Sequence, residues 1–231
     1  KIEHFLVLQN FELFQCQAHP YGVYVMVDFS GHKHVVKIIS NEELGIGMKD
    51  LVKDTLRMRP DRVVVGEVRT SEEAHALFDS LLAGQAKGSY FTFHANSSAE
   101  ALQRLKAFGI AEDDLNAIDL VVVQKRISFL DKKTKKQGEL RRVTEIAEVV
   151  DSKPKTLFEF DKTSASLVKT KSLRSSVAVE KVLLNYGFSE SEFWSEVEKR
   201  KKFLESVSVR DFRDFTTQVQ SFSFGGVGGK N

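Results

Sequence analysis

Glu67 follows a glycine at the end of three successive valines, in the stretch RMRPDRVVVGEVRT from Arg57 to Thr70. A short, continuous β-branched run reads as a strand covered on both faces. Such a strand delivers the residue at its end rigidly to the carboxyl edge of a sheet, and in open α/β sheets ligands bind at that edge. Gly66 keeps side-chain bulk away, so Glu67 can stand beside a ligand. A carboxylate there can orient a water molecule or hold Mg²⁺ through its hydration shell. Those are the needs of phosphoryl transfer, in which positioning and charge neutralisation do most of the catalysis. The alternative is a strand-end ion pair of Glu67 with Arg69 or Arg62, and spacing alone leaves both readings open.

The elements that must position Glu67 can be traced along the chain. HFLVL (His4–Leu8) reads as a buried strand. VYVMVDF (Val23–Phe29) and HVVKII (His34–Ile39) flank SGHK and read as a hairpin. MKDLVKDTLRMR carries apolar residues at helical spacing, and Pro60 ends that helix at or before Arg59. The valine strand comes next. SEEAHALFDSLLAG then begins with a capping box at Thr70 or Ser71 and stops at Gly84. SYFTFHA alternates as a strand, and SSAEALQRLKAFG is a helix that stops at Gly109. Strands alternating with helices over residues 1–125 argue for a mostly parallel sheet with helices on its faces. Beyond DLVVVQKRISFL lies the lysine- and arginine-rich DKKTKKQGELRRV, read as a solvated hairpin tip or, more sharply, as a partner or phosphate contact. From Ser175 the pattern is helical. SESEFWSEVEKRKKFLESV sets Phe193, Trp194, Val197, Phe203 and Leu204 on an amphipathic helix expected to pack on the main body, and the glycine-rich FGGVGGKN reads as a frayed tail.

Bulk properties bound the answer. The 231 residues are 42% hydrophobic and 29% charged, as in ordinary globular proteins. A formal charge of +2 gives no argument for nucleic acid. Cys16 is the single cysteine, so there is no intrachain disulfide, which fits a reducing, cytoplasmic setting. No apolar run approaches the roughly 20 residues of a membrane helix. The sequence starts at Lys1 and enters an apolar run at once, which reads as a chain cut upstream.

LRMRPDRVVVGEVR closely resembles the Walker B region of the ATPases that drive type II secretion, type IV pili, type IV secretion and the archaeal flagellum. EEAHALFDSLLAGQAKGSYFTFHANSSAEALQRL resembles the family's helix, glycine-containing turn, strand ending in the His box HAN, and following helix with RL. LRRVTEIAEVV looks like the family's post-motor hairpin, and the three-helix tail resembles the archaeal branch. The resemblance implies an α/β, RecA-like P-loop NTPase core with a mostly parallel sheet (1–127), a β-hairpin extension (128–172), a small helical C-terminal subdomain (173–222) and a tail (223–231). It further implies ATP and Mg²⁺, a homo-hexameric ring, a membrane platform protein as partner, and a cytoplasmic place at the inner face of the cell membrane. Carried over by position, Glu67 is the Walker B glutamate acting on the attacking water or Mg²⁺, and His94 is the His-box residue near the γ-phosphate. Arg57, Arg59, Arg69 and Arg104 match motif arginines that neutralise phosphate charge in cis or from a neighbouring subunit. Without the family, His94 reads equally as a core histidine capping a strand. The other histidines, His4, His19, His32, His34 and His75, lack ligand-like spacing, and no metal site is expected from them.

Two departures matter. The P-loop pattern G-x-x-x-x-G-K-[ST], whose backbone amides and lysine cradle phosphates, does not occur; it is expected a few tens of residues before Lys1. Where the family carries an acidic motif after the first strand, VLQNFEL places Gln9 and Asn10 with Glu12 retained, and Glu12 is kept as a nucleotide or interface candidate. Amides bind water or Mg²⁺ but supply neither negative charge nor a base. The sequence therefore supports the motor portion of an ATPase coupled to secretion or to pilus or archaellum assembly. Alternatively, it supports a degenerate, non-catalytic relative serving as a ring partner. A nucleic-acid motor would rest on the basic hairpin Lys132–Arg142 alone, with no aromatic stacking set beside it.

Overall fold

Short apolar runs alternating with amphipathic segments set the order of elements. The computed structural model describes residues 4–8, 22–29, 32–84, 88–130, 137–208 and 212–224. Strands β1 (His4–Leu8), β2 (Gly22–Phe29) and β3 (His32–Ile39) come first, followed by helix α1 (Met48–Thr55) and strand β4 (Arg62–Val68). Helix α2 (Ser71–Leu82), strand β5 (Ser89–Phe93), helix α3 (Ser98–Ala107) and strand β6 (Leu120–Leu130) come next. Three further strands, β7 (Gln137–Val150), β8 (Lys153–Asp161) and β9 (Ser166–Lys169), precede helices α4 (Val177–Tyr186), α5 (Glu190–Ser206) and α6 (Phe212–Phe224). Gln9, Asn10, Glu12, Cys16, the lysine-rich link 131–136 and the tail 225–231 lie outside the described residues.

Among the described residues the strands join in one sheet, in the order β3-β2-β4-β5-β1-β6-β7-β8-β9. The centre, β4-β5-β1-β6, is parallel. On one side β2 and β3 run antiparallel, and on the other β7, β8 and β9 form an antiparallel meander. The mostly parallel sheet expected from the sequence is therefore mixed, with its parallel pairings confined to the centre. Connectivity is the cause. Parallel neighbours need a long crossover, while antiparallel neighbours can be joined by a tight link. Asp151 and Ser152 make such a link between β7 and β8, both with positive φ (50° and 60°), as a two-residue hairpin turn of mirror-image type requires.

The core lies where α1, α2 and α3 meet the parallel centre. Val63, Val64 and Val65 are all buried, so β4 is covered on both faces, while Phe91 and Phe93 alternate with half-buried Tyr90 and Thr92 on β5. Leu51 and Val52 of α1, Leu77 and Phe78 of α2, and Leu102 and Leu105 of α3 complete it. Each such side chain contributes roughly 1.5–3 kcal/mol relative to exposure. Helix α2 starts at Thr70, whose side chain accepts from Glu73 N–H at 3.3 Å, while Glu73 Oε2 accepts back from Thr70 N–H at 3.2 Å. That reciprocal pair is the capping box read from the sequence. Helix α1 is shorter than its periodicity predicts: it gives way at Leu56 to a tight 3₁₀ turn, and Arg59 is left-handed at φ 49°.

The chain divides into two compact units, residues 1–181 and 182–231. The second is helical. The burial expected of Phe193, Trp194, Val197, Phe203 and Leu204 is not reached: no residue of α5 is buried, and Leu204 remains 56% exposed. Its aromatics instead pair locally, Phe193 edge-on to Trp194 at 5.0 Å and Phe203 stacked on Phe222 of α6 at 4.1 Å.

Candidate functional site

Strand β4 does not end on Glu67; it runs one residue further, to Val68, through a β-bulge. Val65 pairs with Phe91 and Val68 with Phe93, so Gly66 and Glu67 together face Thr92 alone. Thr92 Oγ1 donates to the Gly66 carbonyl and pins the bulge. An extra residue in one strand kinks it and re-aims the side chain beside it. Glu67 follows that extra residue near the carboxyl edge of the parallel centre, and it is only 8% exposed. A glycine inside a strand pattern is a bulge signal, and it is the signal that could have revealed this geometry beforehand.

The two carboxylate oxygens of Glu67 have different neighbours. Oε2 accepts from Arg69 Nε at 2.7 Å and also meets Arg69 Nη2. Oε1 abuts His94 Nε2, yet it is a buried oxygen that receives no hydrogen bond of good geometry. Of the two ion-pair partners weighed from sequence, Arg69 takes that role; Arg62, at the far end of β4, donates to the carbonyl of Asp61.

His94 sits one residue beyond β5, and the loop that carries it is fastened along its length. Arg104 of α3 lies over the Phe93 ring, 5.2 Å from its centroid, and its Nη1 donates to the His94 carbonyl. Glu100 Oε2 accepts from Asn96 N–H at 2.9 Å and from its side-chain amide at 3.0 Å, and these two bonds hold the Glu100 carboxyl below its ordinary range. Ser97 caps α3 by accepting from Glu100 N–H at 3.1 Å. Ser98 donates its N–H (3.2 Å) and its hydroxyl to the carboxylate of Glu145 on β7. Neither Glu100 nor Glu145 was singled out from the sequence. The S-x-x-E spacing of Ser97 and Glu100 is a legible cap signal, whereas no local spacing links Ser98 to a residue 47 positions later.

Glu67, His94, Arg69 and Arg104 therefore share one edge of the sheet. Arg57 and Arg59 do not join them. Both are exposed and precede the first residue of β4, while Glu67 lies near its last, roughly 15 Å away along the strand. β1 ends at Leu8, opposite Phe93, the residue before His94.

Among the described residues no group of three or more His, Cys, Asp or Glu side chains is arranged to hold a metal. Mg²⁺ on a nucleotide asks for less: it keeps several waters and binds through one or two carboxylates together with substrate phosphates. At this edge Glu67 is the carboxylate present, with Oε1 against His94 Nε2 and Oε2 against Arg69, and the cationic side chains of Arg69 and Arg104 lie beside it.

The chain matches the family model described as type II/IV secretion system protein over residues 28–217. It belongs to that family. An uncharacterized protein of Methanocaldococcus jannaschii, MJ1287, is 30% identical over 186 residues, covering 77% of this chain and 66% of that relative. The type IV pilus assembly ATPase PilB of Pseudomonas aeruginosa is 31% identical over 105 residues, covering 45% of this chain and 18% of PilB. The chain thus spans less than two thirds of the length of these relatives. The X-ray structure of the Legionella pneumophila ATPase DotB aligns with 63% of this chain and 45% of DotB, at 17% identity and a TM-score of 0.42. Among the described residues no helix is long and apolar enough to cross a membrane.

Proposed function

We propose that this secretion-family chain carries the hydrolytic edge of an ATP-driven motor that powers protein secretion or the assembly of a pilus or archaellum. The observation that carries the reading is the meeting of the Glu67 carboxylate and the His94 imidazole at the carboxyl edge of a parallel sheet. Bound MgATP would supply the phosphoryl group and the charge-neutralising cation. Glu67 acts on the attacking water, directly or through the Mg²⁺ shell. His94, one residue beyond β5, contacts the γ-phosphate. Arg69 and Arg104 neutralise phosphate charge in cis, and Arg57 or Arg59, at the opposite edge, serves a neighbouring subunit of a hexameric ring. A RecA-like core, a cytoplasmic location and docking on a membrane platform protein complete the proposal. The P-loop pattern does not occur in these 231 residues, so the reading requires a phosphate cradle from the rest of the full-length protein.

One observation favours a second reading. Both oxygens of Glu67 are engaged by Arg69 and His94, as they would be in a non-catalytic ring partner whose carboxylate is structural. ATP turnover by the full-length protein separates the two. The motor reading expects Mg²⁺-dependent release of phosphate that stops with chelator. Nucleotide binding without turnover at any Mg²⁺ concentration assigns the chain to the partner role.

A further inference from the structure

The loop that carries His94 is secured mostly from within its own strand–loop–helix unit. Arg104 holds the His94 carbonyl, Glu100 holds Asn96, and Ser97 caps the helix it precedes. One anchor comes from elsewhere. Glu145 lies on β7, paired with Val123 on β6 and with Glu159 on β8, in the antiparallel part of the sheet. Its Oε2 accepts the Ser98 N–H at 3.2 Å, its Oε1 accepts the Ser98 hydroxyl, and Oε1 also takes the Thr156 hydroxyl of β8 at 3.3 Å. Ser98 is fully enclosed, at 1% exposure. The first amides of a helix have no partner inside the helix, and a carboxylate there meets both a free donor and the positive end of the helix dipole. Glu145 thus acts as a second cap on α3, reached across the sheet. Within the sheet, among the described residues, β7 lies between β6 and β8, next to but outside the parallel centre.

We infer that Glu145 is a positioning residue for the His94 loop, tying the antiparallel meander to the edge where Glu67 and His94 meet. The inference rests on the proposed role of that edge. His94 can stay against Glu67 only if the three residues between it and the buried start of α3 hold their path. Three of the four anchors on that path move with β5 and α3. Glu145 does not, so it fixes the loop relative to the meander. A shift of β7 or β8 is transmitted to Ser98 through a two-pronged, charge-assisted contact of the kind that is stronger than a neutral hydrogen bond.

Amide hydrogen exchange of the full-length protein, followed by mass spectrometry, is the test, with turnover measured on the same samples. In Glu145→Ala the peptide covering Ala95–Ala101 is expected to exchange about tenfold faster or more, the consequence of losing a hydrogen bond to a charged acceptor. Peptides from β4 and from the buried half of α2 are expected to keep their rates. Turnover is expected to fall about tenfold, with KM for ATP changed less than twofold. Glu145→Gln retains an acceptor for the Ser98 N–H and is expected to recover most of both properties. Unchanged exchange at Ala95–Ala101 in Glu145→Ala overturns the inference, and so does acceleration spread equally over β4 and α2, which marks a merely structural carboxylate. Faster local exchange with turnover unchanged removes Glu145 from the reaction. If the wild-type protein shows no turnover at all, the motor reading fails, and the exchange arm alone decides whether Glu145 holds the loop.

Discussion

At the scale of single residues, the account turns on a carboxylate with two occupied oxygens. Arg69 grips one side of Glu67 through its guanidinium, and His94 presses on the other without a well-formed hydrogen bond. A carboxylate so held is pre-aimed but not free. On the proposed motor reading, it would act on water once a bound phosphate drew Arg69 or His94 toward itself, so that nucleotide binding would arm the site. Replacing His94 by Ala is expected to lower turnover about 10²-fold, the lower end for loss of a positioned polar group, while ATP affinity measured by titration changes less than threefold. A drop in affinity with turnover intact would instead make His94 a simple binding group. Arg57 and Arg59 belong to a different argument, because strand geometry separates them from Glu67 within one chain. If either serves a neighbour, mixing Arg57→Ala or Arg59→Ala subunits with Glu67→Gln subunits restores turnover above that of each variant alone. Mixtures no better than the variants alone exclude that role for both arginines.

Secondary-structure elements explain how those residues reach one place, and how much of this could be read beforehand. The capping box at Thr70, the uniformly buried valines of β4 and the alternation in β5 follow from local chemistry, and the spacing of the sequence displayed each of them. Gly66 inside the valine strand is the local trace of the bulge, but the register at Gly66–Glu67 and the continuation of β4 to Val68 were not legible, because they are set by what the neighbouring strand does. The two-residue link Asp151-Ser152 was hidden for a related reason: its residues adopt positive φ without the Asn-Gly or Asp-Gly signature that announces such turns. A further turn, between β8 and β9, offers a test that depends on pH. Asp161 accepts from the Ser164 hydroxyl at 2.6 Å and from the Thr163 and Ser164 amides at 2.9 and 3.0 Å, and these bonds lower its carboxyl from 3.8 to about 2. A depressed folded-state value means that the stabilisation is present above pH 4 and is lost as pH falls from about 4 toward 2. Carboxyl NMR is therefore expected to show Asp161 titrating near 2, and Asp161→Ala is expected to remove its share of the acid sensitivity of the turn. A midpoint near 4 would mean that these three bonds do not form.

For the molecule as a whole, the alternation of strands and helices over the first 125 residues disclosed an α/β protein. The sequence motifs disclosed the family to which the model match over residues 28–217 assigns the chain. Topology was less accessible. The meander β6-β7-β8-β9 extends the same sheet and brings Glu145 to Ser98, a contact between residues that no local pattern connects. The apolar stripe of α5 predicts burial, yet none of its residues is buried, because a helical stripe records which face is apolar and not what covers it. The central claim is that the Glu67 carboxylate, presented by the bulge beside His94, acts in ATP hydrolysis. Its most direct test is turnover and nucleotide binding by the full-length Glu67→Gln variant, a change that preserves size and removes only the charge and the base. The account predicts turnover at background with ATP affinity within about threefold of wild type. Turnover at the wild-type rate in that variant would contradict it.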